Sequence, residues 1–206
     1  MSPGSLFIIS APSGVGKTSL CRALFDRVSE LALSVSYTTR PPRSSEVDGL
    51  HYHFIDRCTF EAHLKAGDFL EHATVFDHDY GTGRAWVEQT CAQGLDVILE
   101  IDWQGAAHIK AQWPGARCIF IMPPSLAVLR ERLAYRHPAD PDLVRRRLEQ
   151  FVADMGHYQA YDYLVCNDDF ERALADLCAI IRAERLGILR QSLAQAERLE
   201  ALLTGR

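Results

Sequence analysis

The stretch LFIISAPSGVGKTSLCRALF, residues 6–25, decides the fold of this chain. It opens on a nearly continuous apolar run, which is typical of a parallel strand that is buried on both faces. The glycine-rich turn APSGVG follows, and Leu20, Leu24 and Val28 then recur at helical spacing. The sequence therefore predicts a buried strand, a tight turn and a helix in direct succession.

The same pattern recurs further along the chain. DVILEI at 96–101 and RCIFIM at 117–122 are buried-strand candidates, and a helical candidate follows each of them. DYLVCN at 162–167 is a last short strand. Strands that alternate with helices in this way indicate a parallel sheet with right-handed crossovers. We therefore expect an α/β fold with a three-layer core built on a parallel sheet.

The composition limits the class of protein. The 206 residues carry a formal net charge of −5, and 48% are hydrophobic, which is enough for a substantial core. The acidic balance argues against non-specific nucleic-acid binding. No apolar run approaches the ~18 residues of a membrane span, and the six cysteines show no CxxC spacing. We expect a cytoplasmic protein without a nucleic-acid or membrane partner.

Residues 11–19, APSGVGKTS, fit the pattern GxxxxGK[ST] except that Ala11 replaces the first glycine. In such a turn the backbone N–H groups form an anion-binding nest, and the helix N-terminus adds its dipole. Lys17 would bridge the β- and γ-phosphates, and Thr18 would hold Mg²⁺. The segment predicts a nucleoside triphosphate site made of Ala11, Pro12, Ser13, Gly14, Val15, Gly16, Lys17 and Thr18.

A second anion site is predicted in SVSYTTRPPRSSEVDGLHY, residues 34–52. Two prolines separate Arg40 from Arg43, and prolines exclude a helix interior, so the two guanidinium groups lie on a stiff segment. Tyr52 and Tyr80 are available as hydroxyl donors. Two phosphate sites in one small chain indicate a kinase whose acceptor is itself phosphorylated.

Five segments, in this order and spacing, resemble the guanylate kinase family: SAPSGVGKTSL, SVSYTTRPPRSSEVDGLHYHF, FLEHATVFDHDYGT, ILEIDWQG and NDD. The resemblance covers about residues 5–185. It implies one domain with a P-loop core, a GMP-binding lobe at about 34–90 and a helical lid at about 136–158. The core then comprises residues 1–33, 91–135 and 159–206. The implied reaction is ATP + GMP → ADP + GDP, with Mg²⁺ as cofactor.

The resemblance also implies a role for individual residues. The residues implied to bind GMP are Ser36, Arg40, Arg43, Tyr52, Glu71, Tyr80, Thr82 and Asp102. Those implied to bind ATP, besides the phosphate loop, are Arg132 and Asn167. The implied catalytic residues are Lys17, Arg40, Arg43, Arg136 and Arg147. Mg²⁺ would be held, partly through water, by Thr18, Glu100 and Asp102.

Glu71 also has a chemical rationale. Guanine presents two neighbouring donors, N1–H and the 2-amino group, and one carboxylate can accept both. Adenine presents a bare N1 acceptor there, which a carboxylate repels. Without the resemblance, a solvated strand residue would be the more common reading of Glu71, and the motif reverses that preference.

The chain departs from the family pattern at His137 and Pro138, since the family usually has glycine after the arginine that corresponds to Arg136. We expect these two residues to stiffen or reroute the start of the lid. Beyond about residue 185 the chain carries an apolar stripe, which packs on the core or pairs with a second subunit. Of these two alternatives we favour the second, a homo-oligomer that forms through this C-terminal helix.

Two other functions fit parts of the pattern. A guanylate kinase-like module of a scaffold protein would bind a phosphorylated peptide without catalysis, but we would expect its phosphate loop to be damaged. A kinase of a phosphorylated sugar, such as ribose bisphosphate, would keep the phosphate loop and lose the guanine contacts. The intact Lys17 and Thr18 argue against the first alternative, and Glu71, Tyr80 and Thr82 argue against the second.

Overall fold

The computed structural model describes residues 2–75 and 77–205. Met1 and Arg206, which belong to the predicted core, and Phe76, which belongs to the predicted lobe, lie outside the described residues. Within the described part of the chain, no helix has the length and apolar character that crossing a bilayer requires.

A five-stranded parallel sheet forms the core. Its strands are β1 (Leu6–Ser10), β2 (Leu31–Leu33), β7 (Asp96–Leu99), β8 (Arg117–Met122) and β9 (Tyr163–Cys166). They lie in the order β2-β7-β1-β8-β9, and every neighbouring pair is parallel. The predicted α/β fold on a parallel sheet is confirmed. Strand β2 was not predicted, because three residues between polar neighbours give too short a periodic signal.

Two hydrophobic clusters pack on opposite faces of this sheet. Along β1, Phe7 and Ile9 enter one cluster and Leu6 and Ile8 the other, as the two-residue period of a strand requires. The helices of the core are α1 (Lys17–Arg27), α4 (Trp103–Gln112), α5 (Leu126–Arg136) and α7 (Phe170–Arg185). The two clusters explain why the strands read as continuous apolar runs: both faces are covered.

A second sheet of four strands lies between β2 and β7 in the chain. Its strands are β3 (Tyr37–Thr38), β4 (His53–Phe54), β5 (Phe69–Val75) and β6 (His78–Gly83), in the order β4-β3-β6-β5. Two helices flank β5 and β6 in the chain, α2 (Arg57–Ala66) and α3 (Arg84–Ala92). The sequence predicts one helix in this region, CTFEAHLKAG at 58–67, which corresponds to α2, and it does not predict α3. That this region moves as one GMP-binding lobe bounded at 34 and 90 stays a prediction.

A break in the chain separates α5 from the long helix α6 (Pro141–Met155). The break contains His137 and Pro138, since α5 ends at Arg136. Asp140 caps α6 by accepting a hydrogen bond from the backbone N–H of Leu143 at 2.8 Å, and Pro141 occupies the first turn, where its missing N–H costs nothing. The helix of the predicted lid is thus present, and its motion stays a prediction.

The C-terminal part of the chain is helical, as predicted, but it is divided. A 3₁₀ turn (Tyr158–Ala160) precedes β9, and α7 is followed by α8 (Ile188–Ala194) and α9 (Ala196–Thr204). Gly187 and Gln195 are the boundary residues of α8. The leucines of the expected stripe are therefore divided between α8 and α9, and no single helix carries them all.

Asp96, at the start of β7, anchors this C-terminal region to the core. Its carboxylate is fully buried and accepts hydrogen bonds from Arg185 Nε at 2.6 Å and Arg190 Nη1 at 2.5 Å. It also accepts one from the backbone N–H of Ser5 at 2.7 Å. One buried carboxylate therefore joins α7 and α8 to the start of β7 in the sheet.

We expect Asp96→Ala to lower the free energy of unfolding by about 3–5 kcal/mol, because it leaves two arginines near the protein interior without their anion. Urea unfolding at pH 7 measures this loss. Asp26→Ala is the matched control, since Asp26 is exposed on α1, and it should change stability by less than about 0.5 kcal/mol. A loss at Asp96 as small as that of the control would show that the cluster is not an anchor.

Candidate functional site

A cavity of about 500 Å³ opens where the carboxyl end of β1, the smaller sheet and α6 meet. Most of the predicted site residues line it: Ala11, Pro12, Ser13, Gly14, Gly16, Lys17, Thr18, Ser36, Arg43, Tyr52, Glu71, Tyr80, Glu100, Asp102, Arg136 and Arg147. Five predicted residues do not line this cavity: Val15, Arg40, Thr82, Arg132 and Asn167. A second cavity, of about 620 Å³, lies between the smaller sheet and the start of α3, and none of the predicted residues lines it.

The phosphate loop has the backbone that the motif predicts. Gly14 and Gly16 adopt positive φ angles of 90° and 99°, which side chains with a Cβ rarely adopt. A Cβ at Gly14 would also lie 2.8 Å from Leu133 Cδ2. Helix α1 begins at Lys17, directly after the loop. The free N–H groups of its first turn and the loop amides therefore converge on one anion-binding position.

Two predicted ATP-binding residues contact the loop from behind. Asn167, which is buried, donates from Nδ2 to the carbonyl oxygen of Val15 at 2.7 Å. Arg132 donates to the same carbonyl at 3.4 Å and to the carbonyl of Asn167 at 3.2 Å. The structure therefore brings Arg132 and Asn167 to the loop backbone and not into the cavity.

Arg40 does not line the cavity and forms an ion pair with Glu46. Its Nη2 donates to both carboxylate oxygens of Glu46, at 2.8 and 2.9 Å, and the guanidinium lies 5.4 Å from the ring centroid of Tyr52. The hydrogen bonds that Arg40 donates to Glu46 raise the pKa of Arg40. Arg43 is the arginine of this segment that reaches the cavity. The sequence could not distinguish the two, because the partner of Arg40 depends on the turn between them.

Three arginines, Arg43, Arg136 and Arg147, line the cavity close to one another. Arg147 donates from Nη1 to the hydroxyl of Ser13 in the phosphate loop, and its Nε is buried without a partner among the described residues. Burial, with the nearby charges of Arg43 and Arg136, lowers the pKa of Arg147. Mutual repulsion of this kind is relieved by an anion, so the cluster is suited to bind phosphate.

Glu71 is the buried acid of the cavity, with only 4% of its surface exposed. Thr82, its register partner on β6, donates from Oγ1 to Glu71 Oε1 at 2.6 Å. Burial raises the pKa of Glu71 to about 7, although the Thr82 hydrogen bond opposes the shift. Thr82 itself is fully buried, so it contacts the carboxylate and not the open cavity. A buried carboxylate with one oxygen already bonded keeps its remaining lone pairs for a ligand that donates.

The structure adds residues that the sequence analysis missed. Trp103, Gln104, Gln150 and Asp154 also line the cavity. Gly105 lies so close to Glu71 that a Cβ there would be 2.7 Å from Oε2. The segment DWQG carried a signal for this glycine, since Asp102 caps α4 by accepting from the Gly105 N–H at 2.9 Å. Gln150 and Asp154 on α6 gave no such signal, because only tertiary packing brings that part of the helix to the cavity.

Oxygen donors suitable for a divalent cation meet at the phosphate loop. Thr18 and the carboxylates of Glu100 and Asp102 line the same cavity. Within the described residues, no group of three or more histidine, cysteine or acidic side chains forms a metal site. A hydroxyl and two carboxylates fit a cation that keeps most of its water ligands, as Mg²⁺ does, and do not fit an ion that requires a full protein cage.

Comparisons with a family model, with curated relatives and with a solved structure all point to the same family. The sequence model described as guanylate kinase matches residues 4–184. A protein named guanylate kinase from Alkalilimnicola ehrlichii is 52% identical over 201 residues, which are 98% of this chain and 99% of the relative. One from Coxiella burnetii is 48% identical over 98% of this chain and 97% of the relative. The crystal structure of guanylate kinase from Anaplasma phagocytophilum superimposes with a TM-score of 0.79 at 33% identity, covering 94% of this chain and 95% of that one. The chain belongs to the guanylate kinase family.

Proposed function

We propose that this enzyme transfers the γ-phosphoryl group of ATP to GMP, giving ADP and GDP. The observation that carries the proposal is one cavity with a phosphate loop at one end and a buried carboxylate, Glu71, at the other. The loop suits the phosphates of the donor, and the carboxylate suits the base of the acceptor. The arginine cluster between them suits the phosphates that react.

Glu71 is the proposed guanine-binding residue. Its free lone pairs accept the N1–H and the 2-amino group, and Thr82 holds the carboxylate in place by its hydrogen bond. Ser36, which lines the same cavity, is proposed to donate to the guanine O6. Asp102 completes the proposed base site. A site that pairs with substrate donors in this way rejects a base that lacks them by roughly 10⁴-fold or more.

The phosphate of GMP is proposed to bind Arg43, Tyr52 and Tyr80, which line the cavity between the base site and the loop. The rings of the two tyrosines are in edge contact, with centroids 5.9 Å apart. We propose that Arg40 reaches this phosphate after Glu46 releases it. The ion pair otherwise holds the segment in shape, so Arg40 contributes in either arrangement.

The phosphates of ATP are proposed to bind the loop from Ala11 to Thr18. Arg132 and Asn167 contribute by fixing the Val15 carbonyl, and hence the direction of the neighbouring N–H groups. Thr18, Glu100 and Asp102 would hold Mg²⁺, directly or through water, and the bound ion would neutralise charge on the β- and γ-phosphates. The donor set fits this ion, as its hydroxyl and carboxylate oxygens indicate.

Placement and charge are the main contributions of the protein to the proposed reaction. An oxygen of the GMP phosphate forms the new bond to the γ-phosphorus while the bond to the bridging β-oxygen breaks, and ADP departs. The attacking oxygen is already ionised near pH 7, so a general base is not required. The obstacle is repulsion between two anions, and Lys17, Arg136 and Arg147 would offset it. The lid at about 136–158 and the lobe at about 34–90 would close to exclude water.

The experiment that tests the proposal is a coupled ADP-release assay with ATP and Mg²⁺, with each acceptor offered separately. The acceptors are GMP, AMP, UMP, CMP and ribose 1,5-bisphosphate. Release with GMP alone supports the proposal. Release with the sugar phosphate alone would keep the donor site and refute the guanine site, whereas GMP binding without release would favour a binding module.

We also propose that the protein forms a homo-oligomer and is located in the cytoplasm. Large apolar side chains are exposed on α8 and α9, with Ile188 at 77%, Leu189 at 84% and Leu203 at 86% of their full surface. They support a homo-oligomer through this region, which light scattering after size exclusion would detect. All six cysteines are unbridged, which is typical of a reducing compartment and supports a cytoplasmic location.

A further inference from the structure

His137 has a buried polar atom to which the proposed mechanism gives no role. The residue ends α5, where its backbone N–H donates to the carbonyl of Leu133 at 3.0 Å. Its imidazole Nε2 is shielded from solvent and has no hydrogen-bond partner among the described residues. A buried nitrogen without a partner is destabilising, so its presence beside the site calls for a functional account.

Charged groups from three parts of the chain face this imidazole. They are Arg136 from α5, the capping residue Asp140 just before α6, Arg147 from α6, and Arg43 from the turn after β3. Burial lowers the pKa of His137, and the three arginines lower it further, while Asp140 opposes them. A histidine whose pKa lies below its usual value is neutral at pH 7. In the free protein His137 is therefore an uncharged ring within a positively charged cluster.

The same arginines line the cavity in which the phosphates of ATP and GMP are proposed to meet. Arg147 also has a buried Nε without a partner. When both nucleotides bind, several negative charges enter a cluster that holds three positive ones. The local potential then changes sign and favours the protonated imidazole, where in the free protein it favours the neutral one.

We propose that His137 is a phosphate-responsive positioning residue, which takes up a proton from solvent when nucleotide phosphates enter the cluster of Arg43, Arg136 and Arg147. The imidazolium then adds a fourth positive charge behind the arginines. His137 does not line the cavity itself, so it acts through Arg136 and Arg147 and not by touching the reacting atoms. The glycine that usually follows this arginine in the family pattern cannot supply such a charge.

The proposal predicts the direction of a pH effect. Between the pKa of His137 in the free protein and its higher pKa in the complex, each binding event takes up one proton. Binding therefore strengthens as the pH falls through this window, and it strengthens no further below the pKa of the free protein. The phosphates of the nucleotides titrate in a similar range, so the effect must be read as the difference between wild type and a variant without the imidazole.

NMR of histidine labelled with ¹³C at the ring measures the proton uptake directly, and His137→Gln assigns the resonance. The titration is run on the free protein and on the protein saturated with Mg²⁺, GMP and the non-hydrolysable ATP analogue with a β,γ-imido bridge. We expect the pKa of His137 to rise on saturation by about one unit or more, as opposite charges commonly cause. A pKa that stays the same in the saturated complex overturns the proposal.

Kinetics give a second and independent readout. We expect the loss of kcat/KM in His137→Gln to grow as the pH falls from 8.5, where the variant approaches wild type, and to reach about tenfold below the pKa of the free protein, the equivalent of one pKa unit. His137→Gly should show the same pH-dependent loss. His108→Gln is the control, since His108 is exposed on α4, and its profile should match wild type. A loss that is the same at every pH would indicate a structural role and contradict the proposal.

This inference rests on the proposed function, and the two can fail separately. A wild-type protein without GMP-dependent ADP release would refute the proposed reaction. The NMR titration would still decide the role of His137, because the ATP analogue alone brings phosphate to the loop. An active enzyme whose His137 does not titrate differently with nucleotide would refute the inference and leave the reaction in place.

Discussion

Lys17→Ala is expected to lower kcat/KM for GMP-dependent ADP release by about 10³–10⁵, the range that one cation contributes to phosphoryl transfer in comparable enzymes. Lys17 is the first residue of α1 and lines the cavity beside the two loop glycines. Among the described residues its ammonium takes part in no ion pair, so its charge is available to the β- and γ-phosphates. The other lysines of the described chain, Lys65 and Lys110, do not line the cavity.

The same substitution should leave the fold unchanged, because the side chain that it removes is half-buried and unpaired. Circular dichroism and the melting temperature of the free protein check this point. Lys65→Ala is the matched control, since Lys65 is an exposed lysine at the end of α2, and it should retain full turnover. Near-normal turnover of Lys17→Ala would remove the basis for the phosphate-loop assignment.

The fold could largely be predicted because its strands are buried on both faces. Apolar runs such as those of β1 and β8 have one structural explanation once a glycine turn and a helix follow. Helix α3 escaped prediction because its segment, RAWVEQTCA, has few apolar residues at helical spacing and no side-chain cap at Gly83. The break at Gly187 was also missed, since the leucines on both sides continue the same pattern.

The sequence named residues of the candidate site but could not give the hydrogen-bond partners of their side chains. Short-range motifs named Lys17, Arg43 and Glu71, which line one cavity, and their roles there stay predictions. The pairing of Arg40 with Glu46 depends on the path of a turn, and that of Thr82 with Glu71 on strand register. Both are properties of tertiary structure. Residue type and spacing therefore predicted the chemistry of the cavity, whereas the hydrogen bonds that orient it required the fold.

Glu71→Gln is expected to lower the ratio of kcat/KM for GMP to that for AMP by about 10⁴, because the loss of paired hydrogen bonds in a buried site is this costly. The amide that replaces one carboxylate oxygen would present an N–H to the N1–H of guanine, so two donors would face each other. The N1 of adenine is an acceptor and would pair with that amide. Steady-state kinetics with each nucleotide give the ratio, and the KM for ATP serves as the internal control. Equal losses for ATP and GMP would contradict base recognition by Glu71.

The ionisation of Glu71 gives a second test, in which the pH dependence of GMP binding to the wild-type protein is measured. Because burial raises its pKa to about 7, the carboxyl of the free protein is ionised at pH 8 and protonated at pH 6. Guanine requires the ionised form, so GMP binding must release that proton at the lower pH, and affinity should fall by up to about tenfold per pH unit below 7. Calorimetric titration of GMP from pH 8 to pH 5.5 measures this fall in affinity. The same titration with guanosine, which has no phosphate, separates protonation of Glu71 from protonation of the ligand. Glu71→Gln has no carboxyl at this position and should lose the dependence on pH that remains with guanosine.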